Sequence, residues 1–374
     1  MPSTPEDSPD IAGPERPLRI APARYVLASD ATASLDRYLD RDTASAYVVG
    51  GDRAYAVARD DLDAALDRGG VDAEYAAFGG ECCPAEIATH RSRIERADPD
   101  VVIGVGGGKA LDAAKLAADG RCPVAAVPTS PATCAAWTAL SIVYEADGTY
   151  RSGVPLSRPP ELVVADLDVL VDAPARLFAN GVLDAAAKHF ETRLVGDPER
   201  PANWWGVRHA ADAYVEELRT CAKPAYEDVR AGKVTPVVED AIEAVLAGPG
   251  LSGGLLSDRS YVGFAHVLCY VLLDYGSVRS RSYHGERVGY GVAVLQALSD
   301  DAAADPAELL AWSRSLGAGL SLRDLGVDAG ADAIDDIARD VDAKLGEDVL
   351  TVPASRTEIA AAIRRVERLA ADAG

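Results

Sequence analysis

Short apolar runs alternate with amphipathic stretches through the first half of the chain. Residues 101–105 are apolar or glycine throughout, which is typical of a strand buried on both faces of a parallel sheet. The stretches between such runs repeat their apolar positions at helical spacing, so the alternation predicts a largely parallel, Rossmann-like sheet with helices against it. Predicted strands are 46–49, 74–78, 101–105, 124–127, 140–144 and 162–165, with a hairpin turn at 147–148 between the last two, and predicted helices are 58–68, 84–96 and 110–118.

Strand patterns stop near residue 173, where the sequence Asp-Ala-Pro marks a boundary. Apolar residues at helical spacing then fill the second half, in the segments 175–195, 202–219, 236–246, 261–273, 288–299, 306–316, 331–345 and 356–371. We therefore expect a loose acidic tail over residues 1–17, an α/β domain over 18–173 and an all-α domain over 174–374. An active site shared by two such domains would lie in the cleft between them.

A glycine-rich turn joins the third predicted strand to the helix that follows it. The glycines at 106–108 let the backbone approach a ligand closely, and the N–H groups at the helix start favour a bound phosphate. The turn departs from two common nucleotide motifs. Lys109 takes the place of the third Rossmann glycine, and Ile103 and Ala110 replace the first glycine and the hydroxyl residue of a P-loop. The unit predicts nucleotide binding by residues 18–173, with a glycine turn that binds no ligand as the alternative.

Negative charge dominates the composition. Asp and Glu number 59 against 37 Lys and Arg, which gives a formal net charge of −22, and nearly all of the positive charge is Arg. Short carboxylates with little Lys suit a cytoplasm of molar salt, where the Debye length is about 3 Å and self-repulsion is screened. We expect a cytoplasmic protein of haloarchaeal type, with an ordinary acidic enzyme as the alternative. Its charge disfavours nucleic acid and anionic membranes as partners, and its longest apolar run, 262–273, is too short to span a bilayer.

Two of the five histidines lie in unusual surroundings. His266 is in a segment that is apolar almost all round, where an imidazole needs a polar partner. His284 is where a turn leads into the next helix, and Asp184 is an acid within a mostly apolar helix. One carboxylate and two neutral imidazoles would make a three-ligand site for a divalent ion with open positions. Two alternatives fit the same spacing: His266 as a hydrogen-bonded core histidine, and an i, i+4 ion pair between Asp184 and Lys188.

With the glycine turn and these three residues in this order, the sequence resembles the iron-containing (group III) alcohol dehydrogenase superfamily, and within it the glycerol dehydrogenase branch. The resemblance covers about residues 18–370. Its segments are Gly-Gly-Gly-Lys-Ala-Leu-Asp-Ala-Ala-Lys at 106–115, Gly-Glu-Cys at 80–82, and the segments 128–144, 181–191 and 283–288. It implies hydride transfer between NAD or NADP and a small polyol or 2-hydroxy acid, in a homo-oligomer that holds a divalent metal. Zinc is the usual metal of that branch, and iron is the alternative.

The resemblance also implies roles for individual residues. Asp184, His266 and His284 would bind the metal and act in catalysis. Asp52, at the end of an early strand, would lie at the adenosine ribose and favour NAD, whereas Arg53 could instead receive the 2′-phosphate of NADP. The remaining cofactor-binding residues would be Gly107, Gly108, Lys109, Asp112, Thr129, Ser130, Thr138, Leu140 and Tyr144.

The substrate segment departs from the glycerol dehydrogenase pattern. Cys134 stands where those enzymes usually have an Asp that contacts the substrate hydroxyls, and a thiol cannot replace a carboxylate as acceptor. The form Thr-Cys-Ala-Ala-Trp, which ends at Trp137, resembles a sister branch that acts on 2-oxo and 2-hydroxy acids. Cys134 and Trp137 are therefore expected to shape the substrate site.

Two other enzyme classes fit the same two-domain plan. A dehydroquinate-synthase-like lyase and a glycerol-1-phosphate-dehydrogenase-like enzyme both act on phosphorylated substrates, for which several basic residues are needed. The segments expected at the cleft contain few such residues. These two classes remain the alternatives to an alcohol dehydrogenase.

Overall fold

A computed structural model of the chain describes residues 18–194, 203–256, 262–299, 301, 304–327, 331–346 and 349–372. The predicted tail over 1–17 lies outside the described residues. The first half of the chain contains β1 (Arg24–Ala28), β2 (Ser45–Gly50), α1 (Asp52–Gly69), β3 (Asp72–Ala77), α2 (Pro84–Ala97), β4 (Val101–Gly106), α3 (Gly108–Ala118), β5 (Val124–Pro128), β6 (Leu140–Tyr144), β7 (Tyr150–Pro155) and β8 (Leu162–Asp166).

Six parallel strands form the central sheet, in the order β1-β8-β5-β4-β2-β3. β4 is buried along its whole length, as expected for its continuous apolar run. A β-carbon at Gly104 would lie 2.8 Å from the β-carbon of Ala114, so glycine at this position lets α3 pack directly on the strand. This close packing fixes where α3 begins relative to the end of β4.

The predicted sheet is confirmed, with two differences. β1 was not predicted, because its residues are only half-buried at the sheet edge and lack a continuous apolar run. The hairpin joins β6 to β7 rather than to 162–165, which forms β8 of the main sheet. β7 escaped prediction because its sequence, Tyr-Arg-Ser-Gly-Val-Pro, contains polar, Gly and Pro residues.

Helices make up nearly all of the described second half. Its elements are α4 (Leu167–Asp172), α5 (Ala175–Arg193), α6 (Trp204–Arg230), α7 (Pro236–Leu246), α8 (Gly248–Gly254), β9 (Val262–Gly263), α9 (Phe264–Leu272), α10 (Val278–Arg281), α11 (His284–Leu298), α12 (Pro306–Ser315), α13 (Leu322–Leu325), α14 (Ala331–Asp342), β10 (Val349–Leu350) and α15 (Arg356–Asp372). α5, α9 and α11 pack together around one apolar core, and this packing brings three distant parts of the sequence to one point.

The second half contains short helices that were not predicted, among them α8, α10 and α13, and it differs from the prediction in other details. α6 does not stop at 219 but continues past Pro224, because Cys221, Ala225 and Val229 extend its buried stripe. α11 begins four residues earlier than the predicted 288, with His284 as its first residue. The short strands β9 and β10 pair in parallel where only helix was expected. The boundary at 173/174 stays a prediction, although the last strand of the main sheet ends shortly before it.

A bilayer-spanning helix would need greater length and apolarity than any helix within the described ranges possesses. All six cysteines are free thiols.

Candidate active site

A cavity of about 1050 Å³ lies where the carboxyl ends of the sheet strands face the helices of the second half. Its walls include the glycine turn after β4 and residues of α5, α9 and α11. Ligands of open parallel sheets bind at this end of the strands. Since single small-molecule sites span about 300–1,000 Å³, the cavity has room for a dinucleotide together with a small substrate.

The glycine turn forms the sheet side of the cavity. Gly106 has φ 149°, a backbone conformation that favours glycine, and Gly107 precedes the first turn of α3. A β-carbon at Gly108 would lie 3.1 Å from Oγ1 of Thr133, so the absence of a side chain keeps this approach open. The start of α3 therefore lies at the cavity wall, and the backbone N–H groups of a helix start favour a bound phosphate.

Lys109 lies beside the turn but is already paired. Its Nζ is 2.6 Å from a carboxylate oxygen of Glu81 and 4.7 Å from the ring centre of Tyr144. All three residues line the cavity. The lysine side chain is therefore held by the protein rather than left free to follow a ligand.

Asp112 and Lys115 anchor the neighbouring segment. Their side chains form a buried ion pair at 2.9 Å, and Asp112 accepts a hydrogen bond from the backbone N–H of Ile142 at 3.0 Å. Lys115 donates to the carbonyl oxygens of Ala135 and Leu140. Burial raises the pKa of Asp112, while Lys115 opposes that shift. Asp112, which itself lines the cavity, and Lys115 thus fix the position of this wall.

The wall after β5 contains several of the predicted cofactor and substrate residues. Thr129, Ser130, Cys134, Thr138 and Leu140 line the cavity. Burial raises the pKa of the Cys134 thiol to about 12, so the thiol is uncharged near neutral pH.

Trp137 lies elsewhere, which corrects the expectation that it shapes the substrate site. Its indole N–H donates to the carbonyl oxygen of Ile20 at 3.1 Å, and its ring packs edge-on against Tyr25. The ring also lies so close to Gly250 that a β-carbon there would be 2.5 Å from it. Trp137 therefore packs behind the wall, because its large ring fits between the first strand and the helical half.

Three helices contribute the predicted metal ligands. Asp184 is in α5, His266 in α9 and His284 at the start of α11. One carboxylate oxygen of Asp184 is 3.6 Å from Nε2 of His266 and 3.3 Å from Nε2 of His284. The three potential ligand atoms all lie within 4.8 Å of one another, at the cavity wall.

Each imidazole has a second contact that orients it. Nδ1 of His266 donates to Glu191 at 3.0 Å, and Nδ1 of His284 is 3.5 Å from Sγ of Cys269. Glu191 is fully buried, and a β-carbon at Gly263 would collide with its carboxylate, so glycine is needed there. With Nδ1 engaged in this way, Nε2 of each ring points at the common centre.

The charges in the cluster reinforce one another. Burial works against ionisation, but His284 and His266 hold the pKa of Asp184 well below its usual range. Burial likewise opposes charge on the imidazoles, yet Glu191 and Asp184 raise the pKa of His266 to about 10. Cys269 and Asp184 raise the pKa of His284 to about 9 against the same burial effect. The centre thus favours positive charge, whether it comes from protons or from a divalent cation.

Asn180 joins the helical cluster to the opposite wall. Its side-chain oxygen accepts hydrogen bonds from the backbone N–H groups of Gly285 and Glu286, in the first turn of α11. Its amide nitrogen donates to the carbonyl oxygen of Ala132, in the segment after β5. The residue thereby positions the start of the helix that carries His284.

Asp52 lies just after the end of β2, as expected, and its role at the adenosine ribose stays a prediction. It is the exposed first residue of α1, whereas its neighbours Gly51 and Arg53 line the cavity. The helix begins at this point, so the direction of each side chain follows the helical turn rather than the strand before it. Of the two residues that could contact the adenosine ribose, the structure places Arg53 on the cavity wall.

Sequence reasoning missed Glu191, Asn180, Cys269 and Lys188 as parts of the site. Glu191 and Asn180 are polar residues within the largely apolar helix α5, and the same feature identified Asp184. Glu191 follows Asp184 by seven residues and Asn180 precedes it by four, so both lie on the same face of the helix as Asp184. Cys269 gave no such signal because a thiol is common in apolar cores.

Comparisons with known proteins agree with this geometry. A family model described as iron-containing alcohol dehydrogenase matches residues 22–167. Glycerol dehydrogenase of Pseudomonas putida is 32% identical over 320 residues, which cover 82% of this chain and 84% of that protein. Hydroxycarboxylate dehydrogenase A of Escherichia coli K12 is 31% identical over 292 residues, covering 76% of this chain and 79% of that protein.

A solved structure shares the whole fold. The crystal structure of a probable glycerol dehydrogenase from Sinorhizobium meliloti 1021 matches with a TM-score of 0.84 at 26% identity, covering 96% of this chain and 100% of that one. The resemblance deduced from the glycine turn and from the order of the three ligand residues is therefore confirmed at the family level. The chain belongs to the iron-containing alcohol dehydrogenase family and is an oxidoreductase that acts on CH–OH groups.

Proposed function

We propose that this protein is a metal-dependent, NAD(P)-linked dehydrogenase of a small polyol or 2-hydroxy acid, similar to the glycerol dehydrogenases. Residues 18–173 would bind the nucleotide, and residues 174–374 would bind the metal and most of the substrate. One observation carries the proposal: Asp184, His266 and His284 meet at a cavity whose opposite wall is the glycine turn. The comparisons do not favour the dehydroquinate-synthase-like or glycerol-1-phosphate-dehydrogenase-like alternatives.

The three-residue cluster fits a divalent ion. A carboxylate and two imidazoles suit zinc, with iron as the alternative. Ligand bonds of about 2.0–2.2 Å place neighbouring ligand atoms about 3–4 Å apart around an ion. The separations of 3.3 and 3.6 Å from Asp184 match that requirement. The hydrogen bond from Nδ1 of His266 to Glu191 is the outer contact that such ligands usually have.

The cofactor would lie along the opposite wall. Its pyrophosphate would meet the N–H groups of Gly107 and Gly108 at the start of α3. Its ribose and nicotinamide would pass the segment from Thr129 to Tyr144, which Asp112 and Lys115 hold in place.

When bound, the nicotinamide exchanges a hydride with the substrate carbon and the metal stabilises negative charge on the substrate oxygen. The chain's own residues prepare both events. Asp184, His266 and His284 hold the substrate end, and Glu191 keeps Nε2 of His266 directed at it. Asn180 fixes the distance between the two walls, and the mostly apolar lining limits the access of water.

A reduction screen tests the proposal. NADH and NADPH oxidation would be followed with dihydroxyacetone, 2-oxobutanoate and 2-oxoglutarate, in high-salt buffer with added zinc or iron(II). We expect turnover that disappears with a chelator and returns with the metal. Metal-loaded, folded protein that reduces none of these carbonyl compounds would contradict the proposal.

We also propose that the enzyme works in a salt-rich cytoplasm, because the charge of −22 is distributed along the whole chain. The family resemblance leads us to propose a homo-oligomer as well. Melting temperature and activity should rise together from about 0.1 M toward multimolar KCl, where screening is nearly complete. A variant with exposed α1 carboxylates neutralised, Asp60→Asn with Asp61→Asn and Asp67→Asn, should depend less on salt. Equal stability in dilute buffer would contradict adaptation to high salt and would indicate an ordinary acidic dehydrogenase. The oligomeric state would be measured by light scattering.

A further inference from the structure

The cationic side chains that line the cavity differ in how they are compensated. Lys109 is paired with Glu81, Arg279 with Asp147 and Asp274, and Arg287 donates to the carbonyl oxygen of Ser282. Lys188 and Arg53 also line the cavity, and among the described residues the side chain of neither forms a hydrogen bond or an ion pair. Arg53 is exposed, whereas Lys188 is half-buried. The i, i+4 ion pair with Asp184 that the sequence allows is therefore not formed.

The position of Lys188 on α5 places its ammonium group next to the metal cluster. It is half-buried on α5, one turn after Asp184 and on the same face of the helix. Four residues of helix correspond to a rise of about 6 Å. The carboxylate of Asp184 is turned toward the two imidazoles instead, so the lysine faces open cavity next to the metal cluster.

The part of the cavity wall opposite Asp184 and Lys188 is uncharged. Cys134 lines the same cavity, and its thiol lies close enough to both Asp184 and Lys188 to respond to their charges. Although burial opposes the shift, Lys188 helps to lower the pKa of the buried Glu191. No carboxylate of the described residues, however, lies within ion-pair distance of the lysine ammonium. A half-buried cation without a direct counter-ion costs stability unless something else supplies the negative charge. In a chain of net charge −22, carboxylates to pair with a lysine are plentiful, so the vacancy at this one calls for a ligand.

We propose that Lys188 binds the carboxylate of the substrate, so that the preferred substrates are 2-hydroxy acids and their 2-oxo products rather than uncharged polyols. This inference rests on the proposed dehydrogenase function. The hydroxyl oxygen of such an acid would sit at the Asp184–His266–His284 cluster, and its adjacent carboxylate would reach Lys188 one helical turn away. In the reaction, C2 gives its hydride to NAD(P)⁺, the hydroxyl proton leaves to solvent, and the products are the 2-oxo acid and NAD(P)H.

A matched pair of substrates isolates the carboxylate. 2-Oxobutanoate and 1-hydroxy-2-butanone have the same carbon chain and differ in a carboxylate against a CH₂OH group. We expect the wild type to reduce 2-oxobutanoate with the higher kcat/KM. In Lys188→Met, kcat/KM for the acid should fall about 10- to 100-fold, mostly through KM, since the variant loses a hydrogen bond between two charged groups. The uncharged ketone should change less than threefold, and Lys188→Arg should retain most of the preference for the acid.

Lys233→Met is the control, because it removes one exposed positive charge outside the cavity and should leave both substrates unaffected. Three results would overturn the inference: equal losses for both substrates in Lys188→Met, an equal effect in Lys233→Met, or a wild type that prefers the uncharged ketone. The third result is measured on the wild type and therefore does not depend on whether any variant folds. Failure of the dehydrogenase proposal looks different, because the metal-loaded wild type would then turn over neither compound.

Discussion

The two walls of the cavity are built in different ways. The sheet wall presents backbone from one continuous stretch, the turn at Gly106 to Gly108 and the first N–H groups of α3. The helical wall presents side chains from α5, α9 and α11, which meet only because those helices share a core. Function on the first wall depends on backbone conformation, whereas function on the second depends on the chemical identity of single side chains. Substitutions should therefore act on the two walls by different routes.

Loss of one ligand on the helical wall should have the largest effect. Asp184→Asn removes the carboxylate that both imidazoles approach, within 3.6 Å. We expect kcat/KM to fall about 10³-fold, because about 4 kcal/mol of charge stabilisation would be lost. Metal content should fall with it, measured by elemental analysis of the purified protein. Asp240→Asn, an exposed change on α7, is the matched control and should retain full metal and activity. A fully active Asp184→Asn enzyme would remove the basis for the metal site.

Glu191→Gln tests the layer behind the ligands. The change keeps the buried side chain's size but removes the charge that accepts the hydrogen bond from His266. Metal affinity should fall about 10- to 100-fold, as is usual for such outer contacts. Activity should return when the metal concentration is raised by the same factor, which distinguishes this variant from Asp184→Asn. The exposed Glu216→Gln serves for comparison. Unchanged metal affinity in Glu191→Gln would show that Glu191 contributes only to packing and not to metal binding.

Gly106→Ala tests the backbone wall. The position has φ 149°, and a β-carbon would lie 3.0 Å from the β-carbon of Ala110, so alanine is strained there. Strain of about 1–2 kcal/mol should weaken NADH binding about tenfold while metal content stays normal. Gly120→Ala introduces alanine at another positive φ, 76°, in open space beyond the end of α3. This control should lose stability without losing NADH affinity in a fluorescence titration. Equal NADH affinity in all three proteins would show that the turn does not bind the cofactor.

The same contrast explains what the sequence could predict. The β4–α3 unit was placed to within two residues, since its strand, glycines and helix are contiguous and each has a local pattern. The parallel sheet followed from the alternation of such units. β1 and β7 were missed because edge and hairpin strands are half-exposed and carry mixed residues.

The helical wall was predictable only in part. Asp184 and His266 were identified as candidate ligands because they are polar residues in apolar helices. The family resemblance then grouped them with His284. Trp137 was placed wrongly, because no local pattern tells which side of a loop an indole packs on. The open environment of Lys188 is likewise a property of three-dimensional packing, since its spacing from Asp184 alone permits an ion pair.

The smallest expected effect concerns the outer end of the backbone wall, where we expect one exposed side chain to influence the choice between NADH and NADPH. Arg53 lines the cavity next to Gly51, while Asp52 is exposed and is not among the lining residues. A guanidinium there can pair with the 2′-phosphate of NADPH, and an exposed pair of this kind is worth about 1 kcal/mol. Arg53→Ala should therefore lower kcat/KM for NADPH about fivefold relative to NADH.

Asp52→Ala is the control at the neighbouring residue. The sequence analysis and the structure predict different outcomes for this variant. If Asp52 lay at the adenosine ribose, its removal would improve the use of NADPH, because a carboxylate repels a phosphate. Its exposed position at the start of α1 predicts less than a twofold change in the ratio instead. Both ratios should be measured at low and at high KCl, since screening weakens an exposed ion pair. A large shift in Asp52→Ala with none in Arg53→Ala would restore the original assignment of Asp52 and place the ribose on the other side of the helix start.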